Sequence, residues 1–228
     1  MPNVQEIRDK FRNYNSQTTV ARINGNIMLE KAMVTKMNEF GVSFQGMTLK
    51  EWSRCTTDKD KYEKIDAECP SPNGTIYAQV KWRQPNSGDD ILMAIVQPWP
   101  GYNEFKQMLT EETDETLNKF LWARDYKFKG HLYVSMNKEW TMLRVIDYPN
   151  VLRPLMTRVL NEYIDSGYAL GYNNRCHEAS WNPDIQLRWT QDRGRGGYDS
   201  GLEKILCFLP ISAFDPKDVQ LIPFEGEI

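Results

Sequence analysis

Residues 62–83 constrain this chain more than any other stretch. Residues 62–69 and 75–83 are short runs of β-type composition, joined by Pro70, Ser71, Pro72, Asn73 and Gly74, the residue types that a tight turn demands. The pattern predicts a β-hairpin. Alternation along its second strand sends Ile76, Ala78, Val80 and Trp82 to one face and Tyr77, Gln79 and Lys81 to the other. The first face is core and the second is polar. A lysine and an amide two residues apart on the inner part of a sheet need partners, because burying unpaired polar groups costs of order 2–7 kcal/mol. Asp66, expected at the end of the preceding strand, can supply one, since a hairpin of this length brings it beside Gln79 across the ladder. The residues leave one alternative open. Tyr77, Gln79 and Lys81 would then be the solvated face of an antiparallel hairpin, with Asp66 and Lys81 as a surface ion pair worth about 0–1 kcal/mol.

The rest of the chain reads as helices and further strands. Residues 4–13 read as a polar helix, and a second helix is expected after Gly25 and Asn26, with Leu29, Met33, Met37 and Phe40 at helical spacing, Asn26 as N-cap and Gly41 as its close. Residues 91–97 are apolar at nearly every position, as in a strand covered on both faces, and Pro98 and Pro100 end them. An acidic helix is expected over residues 104–121. Two strands at 131–136 and 140–146, with Asn137 and Lys138 between them, extend the sheet. Leu155, Val159, Leu160 and Tyr163 mark a helix over residues 152–163, with Pro149 and Pro154 at its start. Later strands are expected at 185–189 and 204–209, separated by a glycine-rich loop. The fold class is α/β, a central mixed β-sheet flanked by helices. We read one domain over residues 1–228, with a core at about 24–146 and a C-terminal elaboration at about 147–228.

Composition excludes several classes. With 7 tryptophans and 12% aromatic residues the chain is too rich in large apolar groups to be disordered. A formal net charge of −3 argues against a generally basic nucleic-acid coat, so polyanion binding must come from a local patch or from metal ions. No run approaches the roughly 20 apolar residues that span a bilayer, and residues 1–11 carry charges where a signal peptide needs an apolar segment, so the expected location is the cytoplasm. Cys55, Cys69, Cys176 and Cys207 make no CxxC pair, and His131 and His177 are the only histidines, which disfavours structural zinc. Cys176 beside His177 is a weak nucleophile and base pair, because chain neighbours usually point apart.

Hydrolysing a phosphodiester needs a divalent cation on oxygen ligands and a group that positions or deprotonates water. Asp66 and the Gln79 carbonyl can hold the metal, magnesium or manganese, and the Lys81 ammonium can orient the attacking water. The order Asp66, then Gln79, Val80, Lys81 resembles the D…(E/Q)xK signature of the PD-(D/E)XK nucleases. The likeness extends back to Glu30, because archaeal Holliday-junction resolvases and their relatives carry a glutamate on the helix before the motif strands. It covers about residues 24–97. Two departures stand out: Ile65 occupies the place of a frequent proline, and Gln79 replaces the middle carboxylate, removing one charge from the metal site. The resemblance implies a restriction-endonuclease-like core, a magnesium-dependent DNA endonuclease or exonuclease, and Asp66, Gln79, Lys81 and Glu30 as the catalytic set.

Arginines supply further candidates for the nucleic-acid surface. Arg83 falls on the same face as Lys81 and could hold a phosphate bidentately. Arg188, Arg193 and Arg195 lie around Gly194, Gly196 and Gly197 with Trp189 and Tyr198, a combination suited to close phosphate approach and base stacking. DNA is the expected partner, a homodimer is among the assemblies allowed, and the compact motif region fits a phage or mobile-element source. Two other function classes compete: a nuclease fold that has lost turnover and binds nucleic acid, and a protein-interaction module that uses exposed Trp and Tyr anchors.

Overall fold

The computed structural model describes residues 19–55, 65–82, 88–96, 128–165, 176–192 and 202–224. The expected helices at 4–13 and 104–121 lie outside them. The described elements are α1 (Thr19–Phe40), β1 (Val42–Phe44), β2 (Met47–Leu49), β3 (Ser53–Arg54), β4 (Ala67–Ser71), β5 (Gly74–Lys81), β6 (Ile91–Val96), β7 (Leu132–Met136), β8 (Met142–Asp147), α2 (Arg153–Asp165), β9 (Cys176–Ala179), β10 (Asn182–Asp192), β11 (Leu202–Leu209) and β12 (Val219–Pro223). The fold is mixed α/β. The chain groups into two compact units that interleave in sequence: residues 1–89, 129–152 and 214–228, and residues 90–128 and 153–213.

The first unit is built on a six-stranded mixed sheet in the order β12-β8-β7-β5-β4-β3. All its pairs are antiparallel except β5 with β7, where Ala78 aligns with Leu132 and Lys81 with Ser135. A parallel pair needs a long crossover. Residues 82–131 provide it. Helix α1 covers one face: Leu29, Ala32, Met33 and Met37 share a buried cluster with Ala67, Ile76, Ala78, Val80, Val134, Leu143 and Ile222.

Helix α1 begins earlier than the sequence suggests. Asn26 lies inside it rather than capping it, and the roughly 1 kcal/mol that an internal glycine costs at Gly25 is spread over a 22-residue helix. Phe40, expected on the apolar stripe, is 45% exposed. The close at Gly41 is as expected: its φ of +79° is a left-handed cap, and its N–H donates to the Met37 carbonyl at 2.9 Å. A side chain there would bring its Cβ to 2.6 Å from the Thr48 methyl. Two amide side chains then tie the helix end to its neighbours. Asn38 exchanges hydrogen bonds with the Trp52 backbone at 2.7 and 2.9 Å, and Gln220 of β12 joins the Ser43 N–H to the Gly41 carbonyl.

The second unit holds a four-stranded antiparallel sheet in the order β6-β11-β10-β9, and α2 packs on β9 and β10. Strand β6 was expected to be covered on both faces. It is instead an edge strand in which Ile91 and Met93 are buried and Leu92 only partly so, as suits a sheet with one covered face. Among the described residues no helix is long and apolar enough to cross a membrane.

Candidate active site

The β4–β5 hairpin turns through Pro72 and Asn73, and its register pairs Ala67 with Ala78 and Ser71 with Gly74. Continuing that register by one step sets Asp66 opposite Gln79. Asp66 therefore stands at the entry to β4, not at the end of a strand as its sequence suggested. Its backbone is fixed on both sides: its N–H donates to the Ala78 carbonyl at 3.0 Å, and its carbonyl accepts from the Cys55 N–H at 3.0 Å.

The side chain of Asp66 is only 4% exposed, and its Oδ2 accepts the Val80 N–H at 2.7 Å. The Lys81 ammonium lies 3.5 Å from the same oxygen. A backbone donor and a cation thus offset the hydration that burial removes from this carboxyl group. Lys81 is 38% exposed, so the pair opens to solvent on the lysine side. Gln79 is fully buried between Asp66 and Tyr133, its ladder neighbour on β7. The solvated-face alternative fails on this point. Strand β5 carries partners on both edges, and the face that bears Gln79 also buries Tyr133, Ser135 and Ile146.

The structure thus brings Asp66, Gln79 and Lys81 together and gives Glu30 a different neighbour. Glu30 Oε2 accepts from Arg54 Nη2 at 2.7 Å and Nε at 3.1 Å, joining α1 to β3. Arg54 pairs with Ala67, so by register it belongs to the helix-covered face, opposite to that of Gln79 and Lys81. Arg83, Arg193 and Arg195 lie outside the described residues. Arg188 is on the exposed side of β10 in the second unit, where its Nε donates to Gln186 Oε1 at 2.9 Å and its guanidinium lies 4.7 Å from the Phe208 ring centre. Cys176 and His177 alternate on β9. Cys176 is exposed, while His177 turns to Glu162, at 3.5 Å, and to the Tyr163 ring.

Sequence reasoning missed the continuation of the polar row across the sheet. Lys81 aligns with Ser135 of β7, and Ser135 with Arg144 of β8. Arg144 is buried and binds Asp89, with Nη2 at 2.5 Å from Oδ2 and Nη1 at 3.0 Å from the Asp89 carbonyl, while Asp89 Oδ1 accepts the Lys138 N–H at 2.9 Å. The signal was present: an arginine between Leu143 and Val145, inside the apolar run from Met142 to Ile146, has to be paired if it is buried.

Among the described residues no group of three or more His, Cys, Asp or Glu side chains could hold a metal ion. The candidate donor set at the centre is one carboxylate, Asp66, and the side-chain amide of Gln79, the residue opposite it when the ladder register is continued. That set suits magnesium, which keeps several waters and takes only one or two carboxylates beside substrate phosphates. It does not suit zinc, which favours Cys and His. No family model, curated protein or solved structure matches this chain.

Proposed function

We propose that the chain is a metal-dependent nuclease that hydrolyses phosphodiester bonds in DNA on a restriction-endonuclease-like core. The observation that carries this reading is the arrangement of Asp66, fully buried Gln79 and Lys81, with the ammonium 3.5 Å from the carboxylate oxygen. Support for the core comes from the central mixed sheet, with the motif strands β4 and β5 inside it and α1 across one face. Asp66 and Gln79 would hold magnesium or manganese, which supplies charge neutralisation at the phosphate. Asp66 is pre-aligned for this by the Val80 N–H, so its carboxylate needs no reorganisation. Lys81, the exposed member, reaches the attacking water and orients it towards phosphorus. A plasmid-nicking assay with magnesium and with EDTA tests the reading. Nicking only with the metal is the expected result.

One observation favours a second reading, a nuclease fold without turnover that binds nucleic acid or a partner protein. The Asp66 charge already has Lys81 beside it, and Gln79 adds none. Salt-dependent DNA binding without metal-dependent nicking is the result this reading expects.

A further inference from the structure

His131 stands directly before β7 and holds both backbone polar groups of one residue of β5. Its own N–H donates to the Tyr77 carbonyl at 2.9 Å, and its ring Nδ1 accepts the Tyr77 N–H at 3.1 Å. Tyr77 lies on the strand that carries Gln79 and Lys81. The N–H and carbonyl of a strand residue point to the same edge, so a residue whose carbonyl meets His131 needs a partner for its N–H on that edge too. In a regular parallel ladder the partner is a carbonyl upstream of His131. Here β7 begins only at Leu132, residues 128–130 are not strand, and the imidazole takes the place of that carbonyl. The ring is held for the task. It stacks on the Tyr77 ring, with centres 6.1 Å apart, and meets the Phe44 ring edge-on at 5.8 Å, while the His131 carbonyl accepts the Tyr148 N–H at 2.9 Å. Since an amide N–H can only donate, Nδ1 is the accepting nitrogen and the ring proton sits on Nε2.

We infer that His131 is a positioning residue: by holding both polar groups of Tyr77 it fixes where β5 lies along β7, and with it Gln79, Lys81 and the Val80 N–H. Its consequence for catalysis rests on the reading of the chain as a DNA hydrolase. The register it secures aligns Gln79 with Tyr133 and Lys81 with Ser135. A slip of one residue would turn Gln79 and Lys81 to the face that α1 covers. A smaller loosening would still move the Val80 N–H and the Lys81 ammonium relative to Asp66 Oδ2, which lies 2.7 Å from the first and 3.5 Å from the second.

The test compares wild type with His131→Ala, which removes the acceptor, and His131→Asn, whose Oδ1 sits as many bonds from the backbone as Nδ1 and can accept in its place. Long-range nitrogen–proton correlation spectra of the full chain should show His131 with its proton on Nε2, a bare Nδ1 and a slowly exchanging Tyr77 amide. A proton on Nδ1 at neutral pH overturns the inference. The Val80 amide, which donates to a carboxylate, is the second readout: its resonance should move in His131→Ala and return in His131→Asn. In magnesium-dependent nicking, His131→Ala should lose about a hundredfold in kcat with KM unchanged, the scale of a slight misplacement, and His131→Asn should recover most of it. Each variant is measured well below its own thermal midpoint. If His131→Ala only melts earlier, with the Val80 resonance in place and kcat equal to that of wild type, the inference falls. It falls too if His131→Asn behaves as His131→Ala, or, should His131→Ala not fold, if His131→Asn displaces the Val80 resonance. A wild type that never nicks removes the hydrolase reading, and the positioning role then stands or falls on the Val80 amide.

Discussion

The six-stranded sheet of the first unit and the four-stranded sheet of the second both carry polar side chains on interior strands, yet they treat them in opposite ways. In β5 Gln79 is fully buried; in β10 Arg188 is exposed and Asp184 with it. Strand position does not explain this, since β5 and β10 each have a neighbour on both edges. The covering of the second face does. Strand β10 alternates, with Ile185 and Leu187 buried, Gln186 between them half-buried, and Asp184 and Arg188 exposed, whereas all five residues of β7 are buried. A polar residue beside a strand like β7 must be satisfied internally. One beside an alternating strand is satisfied by water.

Asp66 is where that contrast is expected to be largest. Asp66→Ala removes the acceptor of the Val80 N–H and the partner of Lys81 in a closed place, and should cost about 3 kcal/mol in urea unfolding as well as abolish nicking. Asp66→Asn keeps an acceptor oxygen for Val80 but loses the charge. It should recover most of the stability and none of the nicking. Equal stability in wild type and Asp66→Ala would mean that the Asp66 contacts do not survive in solution.

Gln79 comes next. Gln79→Ala leaves a buried cavity and should cost about 2 kcal/mol, with magnesium affinity reduced and nicking crippled. Gln79→Glu sets a second carboxylate opposite Asp66, so it should be less stable than wild type in EDTA, bind magnesium more tightly in calorimetry, and regain its thermal midpoint as magnesium is added. If wild type and both variants bind magnesium equally, Gln79 is not a ligand.

Lys81 separates chemistry from stability. Its side chain is partly exposed, so Lys81→Ala should cost about 1 kcal/mol or less, the range of solvent-screened ion pairs. Nicking should nevertheless be lost. Magnesium-dependent nicking retained in the purified variant would remove Lys81 from the reaction.

Much of this frame was legible in the sequence, because it is local. The Pro72–Asn73 turn fixes the hairpin register, and register alone puts Asp66 against Gln79. The Leu29, Met33, Met37 spacing fixes the buried face of α1, and Gly41 its end. Other features depend on contacts between distant residues. Strand β12 joins β8 across roughly seventy to eighty positions, and nothing within Val219–Pro223 names its partner. The β1–β2 hairpin turns through Gln45 and Gly46, both at positive φ; glutamine in place of the usual asparagine or aspartate hid that turn. Burial of the Gln79 face was written in β7, fifty residues away, and recognising it requires knowing that β5 and β7 pair. The polar row through Ser135 and Arg144 was missed for the same reason.

The smallest effects are expected on the second sheet, and there the test is of binding alone. Arg188 already has local company in Gln186 and the Phe208 ring on an open face, so Arg188→Ala should change stability by no more than about 0.5 kcal/mol. Its contribution to DNA is then read from the salt slope: if it meets one phosphate, the slope falls by about one, and affinity falls uniformly across sequences. Arg193 and Arg195 follow it in the chain, and replacing both by Ala should lower the slope by about two on the same footing. Replacing all three distinguishes a shared surface from unrelated arginines. A combined slope change of about three fits independent phosphate contacts, while no change after any of these substitutions takes all three arginines out of the DNA-binding surface and moves the search for phosphate contacts to Lys81 and Arg83.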